Sequence, residues 1–434
     1  MNLYNLMNGR NIYKLAQKLW PYNRSLAGEE NRKTLKILRK VNPKLKIIEF
    51  KSGQKVYDWQ VPDEWNVKDA WIKNKLGKKI IDFKKNNLHL VNYSIPIKKK
   101  IQTKELKKKI YSLKNKPNAV PYVTSYYEKN WGFCMSFNDL KKLKEKNYFV
   151  NINSKFKKGS MSVGEIIIPG KSSKQILIST YICHPSMANN ELSGPCLSIY
   201  LSKWIMKKKR KYTYRFVFLP ETIGSITYIK KNFRTLKKNV ISGLNITCVG
   251  DHKNYSFLPS RKGNSILDKI IIEVFRKNKI KFKKYDWKSR GSDERQYCWP
   301  NTDLSVSSLM RSKYHEYPEY HSSLDNLKNL VTSKGLGTSF NIYKKVIKLL
   351  ENKDFPISTT FCEPMLSKLN LYPKIGNNNK INKLKIKSKI ILNILSYCDG
   401  SNSVEEISSK CDLSVNKCKK ILNFLVKKKL VKII

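Results

Sequence analysis

The stretch QILISTYICHPSMANNELSGPCLSIYLSKWIMKKK (residues 175–209) decides the fold. Its first nine residues are a nearly continuous apolar run of strand length, the pattern of a strand buried on both faces. The segment HPSMANNELSG, with Pro185 and Gly194, breaks that run, and apolar residues then return at helical spacing from Pro195. A buried strand, a polar loop and a helix in that order make the first half of a βαβ unit.

The same alternation continues outward. GEIIIPG, YRFVFLP, GLNITCVG and LSVSSLM read as further buried strands, with GSITYIKKNF and NSILDKIIIEVFRKN as helices between them. The expected fold class is α/β, a mostly parallel sheet flanked by helices. Residues 1–45 read as helical. From 47 to 94 the short alternating segments KVYDWQV, DAWIKN, KIIDF and LHLVNYSIP predict a small inserted β-rich domain, followed by a helix over TKELKKKIYSL. The α/β domain is therefore expected over 1–46 and 95–360. After Phe361 comes a linker with prolines and an asparagine run. Three helical patterns and a final LVKII follow, the order of a winged-helix domain over 366–434.

Composition narrows the function classes. At 434 residues with 40% hydrophobic side chains the chain has ample material for a core, and no run of 18 apolar residues suggests a membrane span. The N-terminus lacks a signal-peptide pattern. The nine cysteines are odd in number and lack CxxC spacing, which predicts reduced thiols in a cytoplasm. A net charge of +55 suggests an anionic partner at first sight, yet only 12 of the 87 basic residues are arginine. Lysines spread along the whole chain beside abundant Asn and Ile, as AT-rich coding drift would leave them, instead of forming one stripe. The 366–434 tail carries a net charge of +11, barely denser than the rest, and its candidate recognition helix has no arginine to read guanine edges. Nucleic acid is not the expected partner. Packing or dimerisation suits the tail better, so a homo-oligomer is a candidate state.

In open α/β sheets, ligands bind beyond the carboxyl ends of the strands. QILISTYIC ends at His184, followed by Glu191; YRFVFLP ends at Glu221; GLNITCVG ends at Asp251 and His252. LSVSSLM ends at Arg311, followed by His315, Glu316, Glu319 and His321. Four of the five histidines fall in these loops. Imidazoles and carboxylates from separate loops suit Zn²⁺ with a position left open for water, and a neighbouring glutamate can act as general base. Each residue alone has a plainer reading: a turn at His184-Pro185, a helix N-terminus at Glu221, a capped turn at Asp251.

The motifs CHPSMANNELSGP, LPETIGS, VGD, PSRKGN, GSDERQY and LMRSKYHEYPEYHSSLDN resemble a family of bacterial aminopeptidase-like proteins. That family is associated with polysaccharide-biosynthesis loci and related to the co-catalytic zinc aminopeptidases. The similarity extends over nearly the whole chain, with VYDWQVPDEWNVKDAWI in the family's inserted β domain and the tail in its winged helix. The resemblance implies that His184 and His321 are the first and last metal ligands and that Glu221 is the general base. It also exposes departures: Asn190 stands at the bridging-Asp position, Thr222 at that of a ligand Glu, and Thr247 at that of a strand-end Asp. A single Zn²⁺ per chain held by His184, Glu191 and His321 is therefore expected, with Asp251 a further ligand. Asn190 is expected to orient a ligand or touch the substrate. Asp293, Glu294, Tyr297, Glu316, Glu319 and Tyr320 are expected to receive a substrate ammonium, and Arg295 or Arg311 an anionic group.

The expected activity is hydrolysis of an amide or peptide bond in a peptide-like or amino-sugar-like substrate. Two alternatives stand beside it: a degenerate hydrolase that binds a ligand, and a nucleic-acid-binding regulator acting through the winged helix.

Overall fold

The computed structural model describes residues 3–369, 371 and 388–434. The chain divides into two units, Met1–Val346 and Ile347–Ile434. Half of the linker expected after Phe361 falls on residues outside the described ones.

The first unit is organised by an eight-stranded sheet. In chain order its strands are β1 (Lys46–Lys51), β2 (Ser160–Ile168), β3 (Gln175–Tyr181), β4 (Thr213–Leu219), β5 (Val240–Asn245), β6 (Ser256–Leu258), β7 (Lys283–Lys284) and β8 (Val306–Met310). Across the sheet they lie in the order β1-β2-β4-β3-β5-β8-β6-β7. The central pairs β4–β3, β3–β5 and β5–β8 are parallel, and β1, β2 and β6 join antiparallel towards the edges. Every residue of β3 and β4 is buried, as their unbroken apolar runs require.

The helix Ser193–Met206 links β3 to β4, and the helix Ile223–Asn239 links β4 to β5 on the far side of β3. These two crossovers run in opposite directions along the sheet, so right-handed connections put their helices on opposite faces. Leu177 and Tyr181 share a buried cluster with Ile226 and Tyr297, while Ile176 and Ile178 alternate to the other face. The reversal leaves a crevice at the carboxyl ends of β4, β3 and β5, the place where such sheets take ligands.

A second, four-stranded antiparallel sheet runs in the order Lys79–Asp82, Glu64–Lys73, Asn147–Lys157, Ile97–Gln102. It therefore reaches well past residue 94, and Lys46–Lys51, placed at the start of the insertion by the sequence, belongs to the main sheet opposite β2. Alternating short strands look alike whichever sheet they join, so their texture carried no boundary. The helix expected over TKELKKKIYSL is only Thr103–Lys107; Ile110–Tyr111 instead pairs with Phe133–Cys134.

The second unit contains helices Ser388–Ser396, Val404–Lys410 and Val415–Lys427, then the strand Val431–Ile433, which pairs antiparallel with Pro356–Ser358. Ser403 and Glu406 form a capping box on the middle helix. Ile391, Ile394, Ile407, Ile421 and Leu425 fill its core.

Candidate functional site

The crevice is lined by side chains that the strand ends deliver. After β3 the chain runs through Cys183 and His184 into a π-helical turn, Ala188–Leu192, before the helix Ser193–Met206 starts. Such turns are rare and gather at functional sites. Gly194 makes the tight approach possible: a Cβ there would sit 2.3 Å from the Ile246 carbonyl oxygen and 2.5 Å from Thr180 Oγ1. After β4 the turn at Glu221 places Thr222 at φ 66°, a conformation β-branched residues avoid. Ser186, Cys248, His315 and His321, in the loops around the crevice, also have positive φ.

His184 is held from behind. Its Nδ1 lies 2.7 Å from Glu191 Oε2, which also accepts the His184 backbone N–H. Arg24 Nε donates to Glu191 Oε1 at 2.8 Å, and both side chains of that pair are fully buried. The outer nitrogen, Nε2, faces Glu221 Oε2 at 3.9 Å. Burial alone would lower the His184 pKa, but the Glu191 hydrogen bond and the nearby carboxylates outweigh it and raise it.

Glu221 Oε1 accepts from Ser292 Oγ at 2.7 Å. Loss of solvent raises its pKa despite the opposing pull of His184. Asp293 Oδ1 takes the Thr222 N–H at 2.7 Å and Ser225 Oγ at 2.8 Å, while its buried Oδ2 has no partner. Burial and the neighbouring Glu221 push Asp293 up to about 8. Opposite stands His321, stacked on Tyr320 with ring centres 3.8 Å apart and 5.6 Å from the His184 ring. Its Nε2 is buried without a hydrogen-bond partner. Burial, then the two neighbouring histidines, hold its pKa well below the usual value, so the ring is neutral at neutral pH. Tyr122 packs against both His184 and His321.

The remaining expected residues have other employment. Glu191 lies with Cys183 and His184 in a group whose ligand atoms fall within 4.8 Å of one another, yet both its oxygens are engaged by Arg24 and His184. Asp251 is taken by Asn189 Nδ2 at 2.9 Å, by the Ser312 N–H and Oγ at 3.0 Å each, and by the Lys253 N–H at 2.9 Å. That is the pattern of a capped turn. Asn190 Nδ2 donates to Tyr181 OH at 2.8 Å; that hydroxyl is 2.6 Å from Thr247 Oγ1, which donates to the Asn190 carbonyl at 2.7 Å. Neutral groups thus close a triangle where the resemblance called for two carboxylates.

Most residues expected to receive a substrate have partners within the protein, although Glu319 Oε2, Arg295 Nε and Arg311 Nε are buried without one. Glu294 is enclosed by the Gly291 and Ser292 N–H groups, Tyr314 OH and Asn245 Nδ2. Tyr297 is fully buried with its hydroxyl on Ser179, and Glu316 and Glu319 pair with Lys283 and Lys253. Arg311 stacks on Tyr255, and Arg295 donates to Thr222 Oγ1. Asp293 and Tyr320 stand beside the His184–Glu221–His321 group, and the charges of Arg295 and Glu294 also act on Glu221.

Four contributors escaped the sequence reading: Arg24, Tyr122, Ser292 and Asp325. Asp325 accepts the Asn189 and Asn190 N–H groups and Tyr317 OH, fixing the π-helical turn; burial raises its pKa to about 6. It lies in the quoted SSLDN segment, so a signal existed. Arg24 is 160 residues upstream of His184, and no local pattern marks it.

A mixed sheet flanked by helices, with His and carboxylate side chains at the carboxyl ends of its parallel strands, defines an aminopeptidase-like protein. The chain belongs to the family described as domain of unknown function DUF4910, whose model matches residues 13–353, and a winged helix-turn-helix model matches residues 355–433. A relative from Clostridium acetobutylicum, described as a candidate polysaccharide biosynthesis protein with an aminopeptidase-like domain, is 40% identical over 98% of this chain and 97% of its own. A crystal structure of a candidate peptidase from C. acetobutylicum superposes with a TM-score of 0.81 at 39% identity, covering 99% of this chain and 97% of that one. A zinc aminopeptidase from Bacillus subtilis shares the fold at a TM-score of 0.58 and 12% identity, over 79% of this chain and 94% of its own.

Proposed function

We propose that this chain is an amide hydrolase working with a single zinc ion, on a peptide-like or amino-sugar-like substrate in polysaccharide biosynthesis. The observation that carries the reading is the pair of outward-facing imidazole nitrogens. His184 Nε2 is directed by the Glu191 hydrogen bond behind it, and His321 Nε2 is buried with no protein partner. A histidine whose far nitrogen rests on a carboxylate is the usual arrangement of a metal ligand. The 5.6 Å between the two rings is close to the roughly 5 Å expected of two imidazoles on one tetrahedral ion. His184 and His321 would therefore hold the metal, with Glu221 beside it. Glu191 serves to orient His184, a change from the ligand role expected of it. The Asn190–Tyr181–Thr247 triangle supplies no charge for a second ion.

Bound there, zinc would supply Lewis acidity towards the amide carbonyl and the attacking water. Glu221 accepts the water's proton and delivers it to the leaving nitrogen; its raised pKa brings its basicity nearer to neutral pH. Asp293, pushed up to about 8, keeps its proton at neutral pH and so avoids a second negative charge against Glu221. Ser292 fixes the Glu221 carboxyl.

All nine cysteines are free thiols, and no described helix is long and apolar enough to cross a membrane. The thiols support the cytoplasmic assignment. The name of the C. acetobutylicum relative supports the polysaccharide context.

The test is zinc-supplemented turnover of a panel of aminoacyl and N-acyl amides. Glu221→Gln is expected to retain zinc and lose activity by about 10²- to 10⁴-fold. Full activity in that variant contradicts the proposal. The neutral triangle favours one second reading, a degenerate hydrolase that binds its ligand without turnover. Tight ligand binding by a zinc-free wild-type chain with no hydrolysis is the outcome that would select it.

A further inference from the structure

Four tyrosine and tryptophan side chains are exposed among the described residues: Tyr57, Trp59, Tyr127 and Trp299, at 56%, 41%, 52% and 59%. All four meet at one place. Tyr57, Trp59 and Trp299 line a cleft of about 630 Å³. Tyr127 lines an adjoining cleft of about 560 Å³. The two clefts meet at Trp59 and Tyr127, whose rings contact edge to face at 5.8 Å. The other exposed aromatic side chains among the described residues, Phe149 and Phe361, line neither cleft.

The backbone is strained to present it. Tyr57 at φ 54° and Tyr127 at φ 65° occupy the left-handed region, where glycine or asparagine is the usual occupant. Bulky residues there are uncommon and persist when the surrounding structure holds them in place. The clefts are also lined by planar hydrogen-bonding groups: Asp58, Gln296 and Asn301 in the first, and in the second Gln60, which donates to the Gly53 carbonyl, and Asp63, which pairs with Lys158.

Flat aromatic faces alternating with carboxylate and carboxamide groups match the chemistry of a sugar ring. Its axial C–H groups form an apolar face that stacks on an aromatic ring, and its vicinal hydroxyls both donate and accept towards Asp, Asn and Gln. A membrane surface or an apolar helix would leave Asp58, Gln296 and Asn301 unpaired, at a cost for each. We propose that these joined clefts are a binding site for an oligosaccharide, with successive sugar rings stacked on Trp299, Trp59 and Tyr127. The lining also includes Ile226 and Ile229 of the helix that follows Glu221, and Gln296 of the short helix that follows Asp293. The clefts thus run along elements that lead away from the hydrolytic site. The proposal does not rest on hydrolysis.

The test is binding of the full chain to an array of neutral and acidic glycans, followed by calorimetric titration of the best oligosaccharide. Trp59→Ala and Trp299→Ala are each expected to weaken binding about tenfold or more while melting temperature stays unchanged, because both rings are exposed. Glu221→Gln is expected to bind the glycan as the wild type does, which separates this claim from the hydrolytic one. The proposal is overturned if no glycan binds, if affinity survives both tryptophan variants, or if the clefts prefer an aromatic peptide over every glycan on the array.

Discussion

His184 is positioned by Glu191, seven residues on, and through it by Arg24, 160 residues upstream. Arg24 and Glu191 are a buried, fully desolvated pair, and removing one partner strands the other's charge. Arg24→Met is therefore expected to cost about 3–5 kcal/mol in urea unfolding, and Arg24→Met with Glu191→Leu together much less. Equal losses in the single and double variants would show that the pair carries no such charge. His184, Glu221 and His321 were legible because strand ends in an α/β sheet converge whatever the loops do. Arg24, Ser292 and Tyr122 were not, because only the folded chain brings them to the site. The hydrogen bonds of Glu191 and Asp251 were invisible in the sequence, because their partners Arg24, Asn189 and Ser312 come together only in the folded chain.

At the scale of the element, Gly194 sets how closely the helix Ser193–Met206 can approach β5. Gly194→Ala forces a Cβ to 2.3 Å from the Ile246 carbonyl oxygen, and overpacking of this kind costs about 1–3 kcal/mol. A melting temperature unchanged in Gly194→Ala would contradict the close approach. The helix Glu29–Val41 is tied to the small sheet by Arg32 and Glu64, with a bond of 2.7 Å. Burial works against ionisation of Glu64, but Arg32 and the Ser160 N–H outweigh it and bring its pKa from the ordinary 4.5 to about 2. Between those values the unfolded chain binds the proton and the folded one does not. The pair's contribution is therefore complete above about pH 4.5 and disappears as pH falls towards 2. Glu64→Gln is expected to flatten the acid limb of the stability curve in that window. Five of the main sheet's strands were readable from their apolar runs; Lys46–Lys51, Ser256–Leu258 and Lys283–Lys284 were not. Lys46–Lys51 pairs with Ser160–Ile168, more than a hundred residues away, and no local alternation encodes that choice.

Over the whole molecule, the sequence order of helices and strands sufficed for two architectures, the α/β sheet and the winged helix, because each is built largely from neighbours in the chain. The small sheet resisted, since Asn147–Lys157 returns to it after a long excursion. The site followed the same division: its scaffold was legible, while the metal count depended on which polar groups pair with each other. The central claim is that two acidic ligands have given way to a neutral triangle and left a site for one ion between His184 and His321. Zinc content of the full chain, measured by mass spectrometry after equilibrium dialysis against buffered zinc, tests it most directly. The expected result is one zinc per wild-type chain, lost in His321→Ala and retained in Asp251→Asn; two zinc ions per chain, or one that survives His321→Ala, would contradict it.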